Sequence, residues 1–303
     1  MLRGYNKYVL RPMQNWLQSV IYDLEKGIKS GRFTGKESIE DFLELGTTKS
    51  ANSKELKKII QKAYGLSIEN AVLQYKRQLN QINSFASQKY NVNYTLNTEF
   101  KRDYLRVLVS NKYFRMEEIS KYAKRYGAEL GTDITKILMD MNNEEALKGE
   151  DKFQILKLIQ GSTADDLKRN GEVAIQKKLK KFMGQFNMLI STQAQRAYQD
   201  TKYILHGKSK DKVLDPFLRG YRWRATGSRA CAICRARDGK FFEPHEVPYD
   251  HPRGMCDLEE VYRSDTDELL ARWATGELEE ETAQYVDGYI KHLEKIGILQ
   301  KGI

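Results

Sequence analysis

The sequence predicts an α+β fold that is mainly α, with long helices followed by a small β module near the C-terminus. Proline placement, hydrophobic period and cysteine placement predict it. Of the five prolines, one is Pro12 and the others are Pro216, Pro244, Pro248 and Pro252. Residues 13 to 215 therefore hold no ring that removes an amide donor or clashes with a preceding turn, so long helices can run there. Apolar residues in that stretch recur at three- and four-residue steps. All three cysteines, by contrast, fall between positions 231 and 256.

Taken in order, Met13, Trp16, Leu17, Val20, Ile21, Leu24 and Ile28 mark one face of a first helix, which Gly31 can end. Ser53 to Tyr90 and Thr98 to Met141 read as further helices. The Asn-rich run at 91 to 97 separates them, and Gly131-Thr132-Asp133 breaks the second. Asn142 to Asp151 is a polar connector. Ile175, Leu179, Phe182, Phe186 and Leu189 restore the helical period, with lysines on the opposite face. After His206 the chain becomes turn-rich. Tyr221, Trp223 and Ala225 then alternate with Arg222, Arg224 and Thr226, as in a strand with one buried face. Asp238-Gly239 signals a tight turn before Lys240-Phe241-Phe242. Beyond Cys256 acidic residues accompany Leu269, Leu270, Trp273, Leu278, Tyr285 and Ile290. They predict two acidic amphipathic helices able to pack on the basic helices or to meet a basic partner. The organisation read from these signals is a helical N-terminal region at 1–150, a second region at 151–262 whose β module occupies 220–262, and an acidic helical tail at 263–303.

Hydrophobic content of 40% and charged content of 30% describe a soluble chain, and no window approaches the apolar length of a membrane span. The first residues lack the pattern of a secretory signal, so the cysteines are expected to meet a metal in a reducing cytosol rather than to pair as disulfides. A net charge of +10 makes a phosphate-bearing partner plausible.

Cys231, Cys234, His251 and Cys256 carry the densest chemistry in the chain. Three thiolates and an imidazole match the tetrahedral preference of zinc and leave no open position, so one structural zinc ion is the first reading. A metal-free site held by packing and a redox site follow it. His245 is a competing ligand, placed lower because it sits in a turn-like Glu-Pro-His-Glu run. His206 and His292 read as surface or interface histidines.

The order Gly220-Tyr221-Arg222-Trp223-Arg224, Cys231-Ala232-Ile233-Cys234, Asp238-Gly239-Lys240-Phe241-Phe242 and His251-Pro252-Arg253-Gly254-Met255-Cys256 resembles the C-terminal signature of the phage Mu protein F-like family of minor head, or head-morphogenesis, proteins. Ile190 to Tyr198 is similar to the family's preceding helix, and the resemblance covers residues 173 to 262. Relatives usually end the signature with one more cysteine, in the place Gly254 occupies here. That departure leaves Cys231, Cys234, His251 and Cys256 as the ligand set.

The resemblance implies a non-enzymatic virion protein made in the host cytoplasm. It would lie inside the head near the portal protein and the capsid interior, aiding head assembly or handling packaged double-stranded DNA, with release alongside the genome as a further expectation. Lys168, Arg169, Lys177, Lys178, Lys180 and Lys181 are the candidate DNA contacts, against the plainer reading of a solvated helix face. The residues after Cys256 are too few for most enzymatic domains, so no fused toxin is expected. The alternative is a zinc-supported nuclease of the His-Asn-His type with Asp250-His251 as its catalytic pair. It suffers because no Asn follows Cys256 and because His251 would have to leave the metal site. A sequence-reading zinc ribbon lacks a recognition helix, and its acidic tail would repel phosphate.

Overall fold

The computed structural model describes residues 6–30, 51–96, 125, 164–208, 212–225, 230–248 and 256–302. Helix and sheet are mixed, with long helices and two small antiparallel sheets. The chain forms two compact units, one of Met1–Asn6, Gln61–Phe114 and Ile190–Ile303, the other of Lys7–Ile60 and Arg115–Leu189.

The second unit begins at Lys7, within a π-helical turn, Asn6–Leu10, that leads into α1, Arg11–Lys29. Pro12 is the second residue of α1, where the helical path changes from π to α, and it has no amide proton to donate. Val9, Met13 and Trp16 are buried at steps of four and three, as the sequence period requires. The readings at Gly31, 98 to 124, 126 to 141 and 142 to 151 lie outside the described residues.

The first unit is built on α2, Ala51–Tyr90, from Gln61 onward, and on the end of α3, Ala164–Leu205, from Ile190 onward. Tyr75, Leu79, Ile82 and Ala86 form the buried stripe of α2. The Asn-rich run after it is more than a separator. Asn91 takes a left-handed φ of 49°, which turns the chain into β1, Tyr94–Leu96. The partner of β1 is β5, Leu299–Lys301, with Tyr94 opposite Lys301.

The acidic tail forms α5, Thr266–Thr275, and α6, Glu280–Lys295, joined through Gly276 in the left-handed region. Their apolar faces enter one core with α2, Tyr94, Leu205 and Phe217. Several tail carboxylates serve as acceptors for donors of α2, of β1 and of α5 itself. Asp287 accepts from Trp273 Nε1 at 2.9 Å and Tyr90 at 2.8 Å, Asp267 accepts from Gln81 at 3.0 Å, and Glu294 accepts from Tyr94. Lys89 closes the same corner, donating to the Trp273 carbonyl at 2.9 Å.

The second sheet has the order β3-β2-β4. Strand β2, Leu218–Arg224, pairs antiparallel with β3, Phe241–Phe242, and with β4, Asp257–Tyr262. Tyr221, Trp223 and Leu258 are fully buried on one face while Arg222, Arg224 and Glu259 are exposed, the alternation the sequence announced. Gly220 is dictated by the close approach of β3: a Cβ there would overlap the Phe242 carbonyl and the Phe241 ring.

Candidate functional site

Between β2 and β3 the chain folds into a short helix, α4, Ala232–Arg237. Cys231 is its N-cap. The Cys231 sulfur accepts from the Cys234 amide at 3.4 Å, and the Cys231 carbonyl accepts from Arg235 N at 2.9 Å. The cysteine side chain thus performs the capping that a Ser or Asp performs elsewhere. Asp238 and Gly239 end this helix, Gly239 at a φ of 75°, and Gly239 N donates to the Trp223 carbonyl at 2.8 Å. The turn expected there is real, and it terminates a helix before β3.

Cys234 and Cys256 are buried and Cys231 is half-buried, and none is in a disulfide. All three belong to one apolar cluster with Tyr203, Leu218, Tyr221, Trp223, Val247 and Leu258. Arg237 lies over the Trp223 ring at 5.2 Å and Phe242 meets its edge. His251 falls within 249–255, outside the described residues. Among the described residues no three His, Cys, Asp or Glu side chains form a group that could hold a metal ion. His245 is exposed, 3.7 Å from Glu243, in the turn assigned to it.

The carbonyl of Cys256 and the strand that follows are clamped by one face of α3. Gln195 donates to Cys256 O at 2.6 Å, and Tyr198 bonds Asp257 at 2.9 Å. Lys202, with its side chain fully buried, lies 3.4 Å from Asp257 and 3.0 Å from Glu260 and donates to the Leu258 carbonyl. Positions 195, 198 and 202 are three and four apart, so they share a helix face. Burial pushes the Asp257 carboxyl up, but Lys202, Tyr198, Gln74 and the Leu258 amide together hold it below the usual carboxylate value. A buried ammonium is costly unless paired, and two carboxylates and a carbonyl pair this one.

His206 is not at the surface. It is fully buried, and its Nδ1 lies 2.7 Å from Asp215 Oδ2. Asp215 also accepts from Tyr75 at 3.1 Å and from the Phe217 amide at 2.9 Å. The Tyr289 hydroxyl stands 2.8 Å from that of Tyr75 and donates to Leu205 O at 3.1 Å. His292 is half-buried and donates to Ile204 O at 2.7 Å.

Of the candidate DNA contacts, Lys177, Lys180 and Lys181 are exposed on α3 and Lys178 is half-buried. Lys168 and Arg169 are on the same helix, with side chains outside the described residues. Gln195, Lys202, Asp257 and Glu260 escaped the sequence reading, as did the His206–Asp215 pair. The available signal was a polar stripe on a helix whose other faces are apolar, followed downstream by two acids flanking Leu258 and Glu259. Comparison with protein-family models, with curated proteins and with solved structures finds no match to this chain.

Proposed function

We propose that this chain is a non-enzymatic minor head protein of a tailed phage. In this reading the segment 220–262 is closed by one structural zinc ion, and a basic helix face is available to packaged DNA. One observation carries the metal part: three cysteines separated by up to 25 positions (256 less 231) enter a single apolar cluster against Trp223. By donor type the residues suit the ion, although Cys231, Cys234 and Cys256 are not drawn together as a metal-holding group among the described residues. Thiolate sulfur is a donor that suits zinc, and the Cys234 amide donates to Cys231 Sγ at 3.4 Å. Cys231, Cys234 and Cys256 would hold the metal with His251 as the fourth ligand, and the ion would supply cross-linking without redox chemistry.

The polar clamp on Cys256 orients that ligand's backbone whether or not a metal is bound, in the way outer partners orient ligands elsewhere. Lys177, Lys180 and Lys181 supply the exposed charge for phosphate contact. The head assignment rests on the order of the four sequence pieces from Gly220 to Cys256. The deciding experiment is purification of phage heads and portal from infected cells. Co-purification of the chain in few copies is the expected result, whereas a wholly soluble pool with magnesium-dependent nicking activity on plasmid DNA sinks the reading. Retention of DNA by the purified chain at low salt, lost as salt rises, tests the phosphate contact separately.

A further inference from the structure

We propose that the outward face of the three-stranded sheet binds single-stranded nucleic acid through Phe241 and Arg222. Antiparallel partners project to the same side of a sheet, so the register sets Phe241, Arg222 and Glu259 in one row across β3, β2 and β4. All three are exposed, on the face opposite the buried Tyr221, Trp223 and Leu258. The Phe241 ring extends over Gly220, two residues from Arg222 on that face, and its Cζ stands 2.6 Å from the place a Cβ would occupy. The bare glycine lets the ring lie close to the strand, and Phe241 is still 44% exposed. Behind the row Trp223 is fully buried with Phe242 at its edge, which gives the face a packed support.

The charge left over on these strands is positive. The strands carry three acids, and each is engaged: Glu259 accepts from Arg224 Nε at 2.7 Å, Asp257 accepts from Tyr198 at 2.9 Å, and Glu260 lies 3.0 Å from Lys202. Arg219 and Arg222, both exposed, have no hydrogen bond or ion pair among the described residues. Lys240, next to Phe241 in the chain, is exposed as well. An exposed ring beside an unpaired guanidinium gives a base a surface to stack on and a phosphate a cation to pair with. Duplex DNA keeps its base faces inside the stack, and an acidic peptide supplies carboxylates for the arginines but has no need of the ring. A single strand uses both groups at once. The site draws on none of the α3 lysines, and it does not depend on the zinc or the head reading.

Fluorescence anisotropy of the full chain with labelled oligothymidylate tests the site. Phe241→Leu is expected to weaken binding about tenfold, as one lost stacking contact would, and to leave binding of a duplex of equal length unchanged. Arg222→Gln is expected to lower the slope of log affinity against log salt by about 0.7, the share of one phosphate on a single strand. Replacing Lys177, Lys180 and Lys181 together by glutamine weakens duplex binding alone, which keeps failure of the basic helix face apart from failure of this site. In the wild-type chain, photo-crosslinking to an oligonucleotide that carries iodouracil is expected to mark Phe241 by mass spectrometry. Adducts confined to α3 overturn the proposal. So does an unchanged oligothymidylate affinity in Phe241→Leu, an equal loss on duplex, or displacement of the oligonucleotide by an equal concentration of polyglutamate.

Discussion

The cluster around Trp223 draws its buried residues from Tyr203 and from 218 to 258, whereas the cluster around Trp273 joins residues 75 to 94 with 205 to 299. The first is largely local in sequence and has half as many buried residues; two of its eight are cysteines. The second is made by helices and a strand pair far apart in the chain, and its polar edges are closed by hydrogen bonds to tail carboxylates. A small local cluster has little apolar area to offset chain entropy, which is where metals and other cross-links recur. A large long-range cluster supports itself by burial. The same unit thus holds two cores with different expected dependence on metal.

The sharpest way to break that comparison is to remove the proposed zinc ion. Structural zinc contributes on the order of 10 kcal/mol in small metal-dependent folds. Chelation, or Cys234→Ser, is therefore expected to abolish metal content by mass spectrometry and to collapse amide-exchange protection over 218–262, with 266–299 unchanged. Equal loss in both segments would show one core rather than two. Next in size is Lys202→Met, which strands Asp257 and Glu260 beside an apolar chain. Breaking a buried pair in this way costs about 3–5 kcal/mol, and the loss should appear in urea unfolding and be largest around β4. Lys202→Arg should not rescue it, because the larger head does not fit a fully buried site.

Gly220→Ala comes third. The added methyl meets the Phe242 carbonyl, and overpacking of this kind costs about 1–3 kcal/mol. Separation of β3 from β2 should show as faster exchange at Trp223 N, which donates to Lys240 O, with α5 and α6 unaffected.

The smallest effect concerns the second cluster. Burial lowers the pKa of His292 below its ordinary 6.5, with Lys295 and His206 adding to the shift against the Ile204 hydrogen bond and Asp215. The unfolded chain then takes up a proton that the folded one resists. Stability is present in full above about pH 6.5 and falls as pH drops toward the folded value. His292→Gln should flatten the urea midpoint between pH 7 and 5, and an unchanged slope would remove His292 from the account. Asp257 acts in the same direction only at lower pH, where its carboxyl takes up a proton and stability is lost.

The sequence made the local cluster easy to read and the long-range one hard. Alternation at Tyr221 and Trp223 names a buried face without any partner being known, because a strand's period is two whatever it packs on. The cysteines likewise announce a common destination. Tyr94–Leu96 could not be read as a strand, since three residues after an Asn turn carry no period and their partner is Leu299–Lys301. His206 reads as a surface or interface histidine, since nothing near it in sequence marks it as buried. Its burial depends on Tyr75, Asp215 and Tyr262, which only the tertiary fold assembles. Lys202 escaped the sequence reading for a related reason: lysine is ordinarily exposed, and only β4 shows why this one is not.

The pairing of β1 with β5 also sets a schedule. Thr95 and the Gln300 carbonyl it contacts are 205 residues apart. At a synthesis rate of about 5–20 residues per second the wait between them is roughly 10–40 s. Until α5 and α6 at 266–295 are made, late in that interval, the apolar stripe of Tyr75, Leu79, Ile82 and Ala86 has been made but its covering helices have not. A nascent chain in that condition is a natural client for a holding chaperone, and the moment of release is set by the emergence of the tail rather than by the cysteine segment.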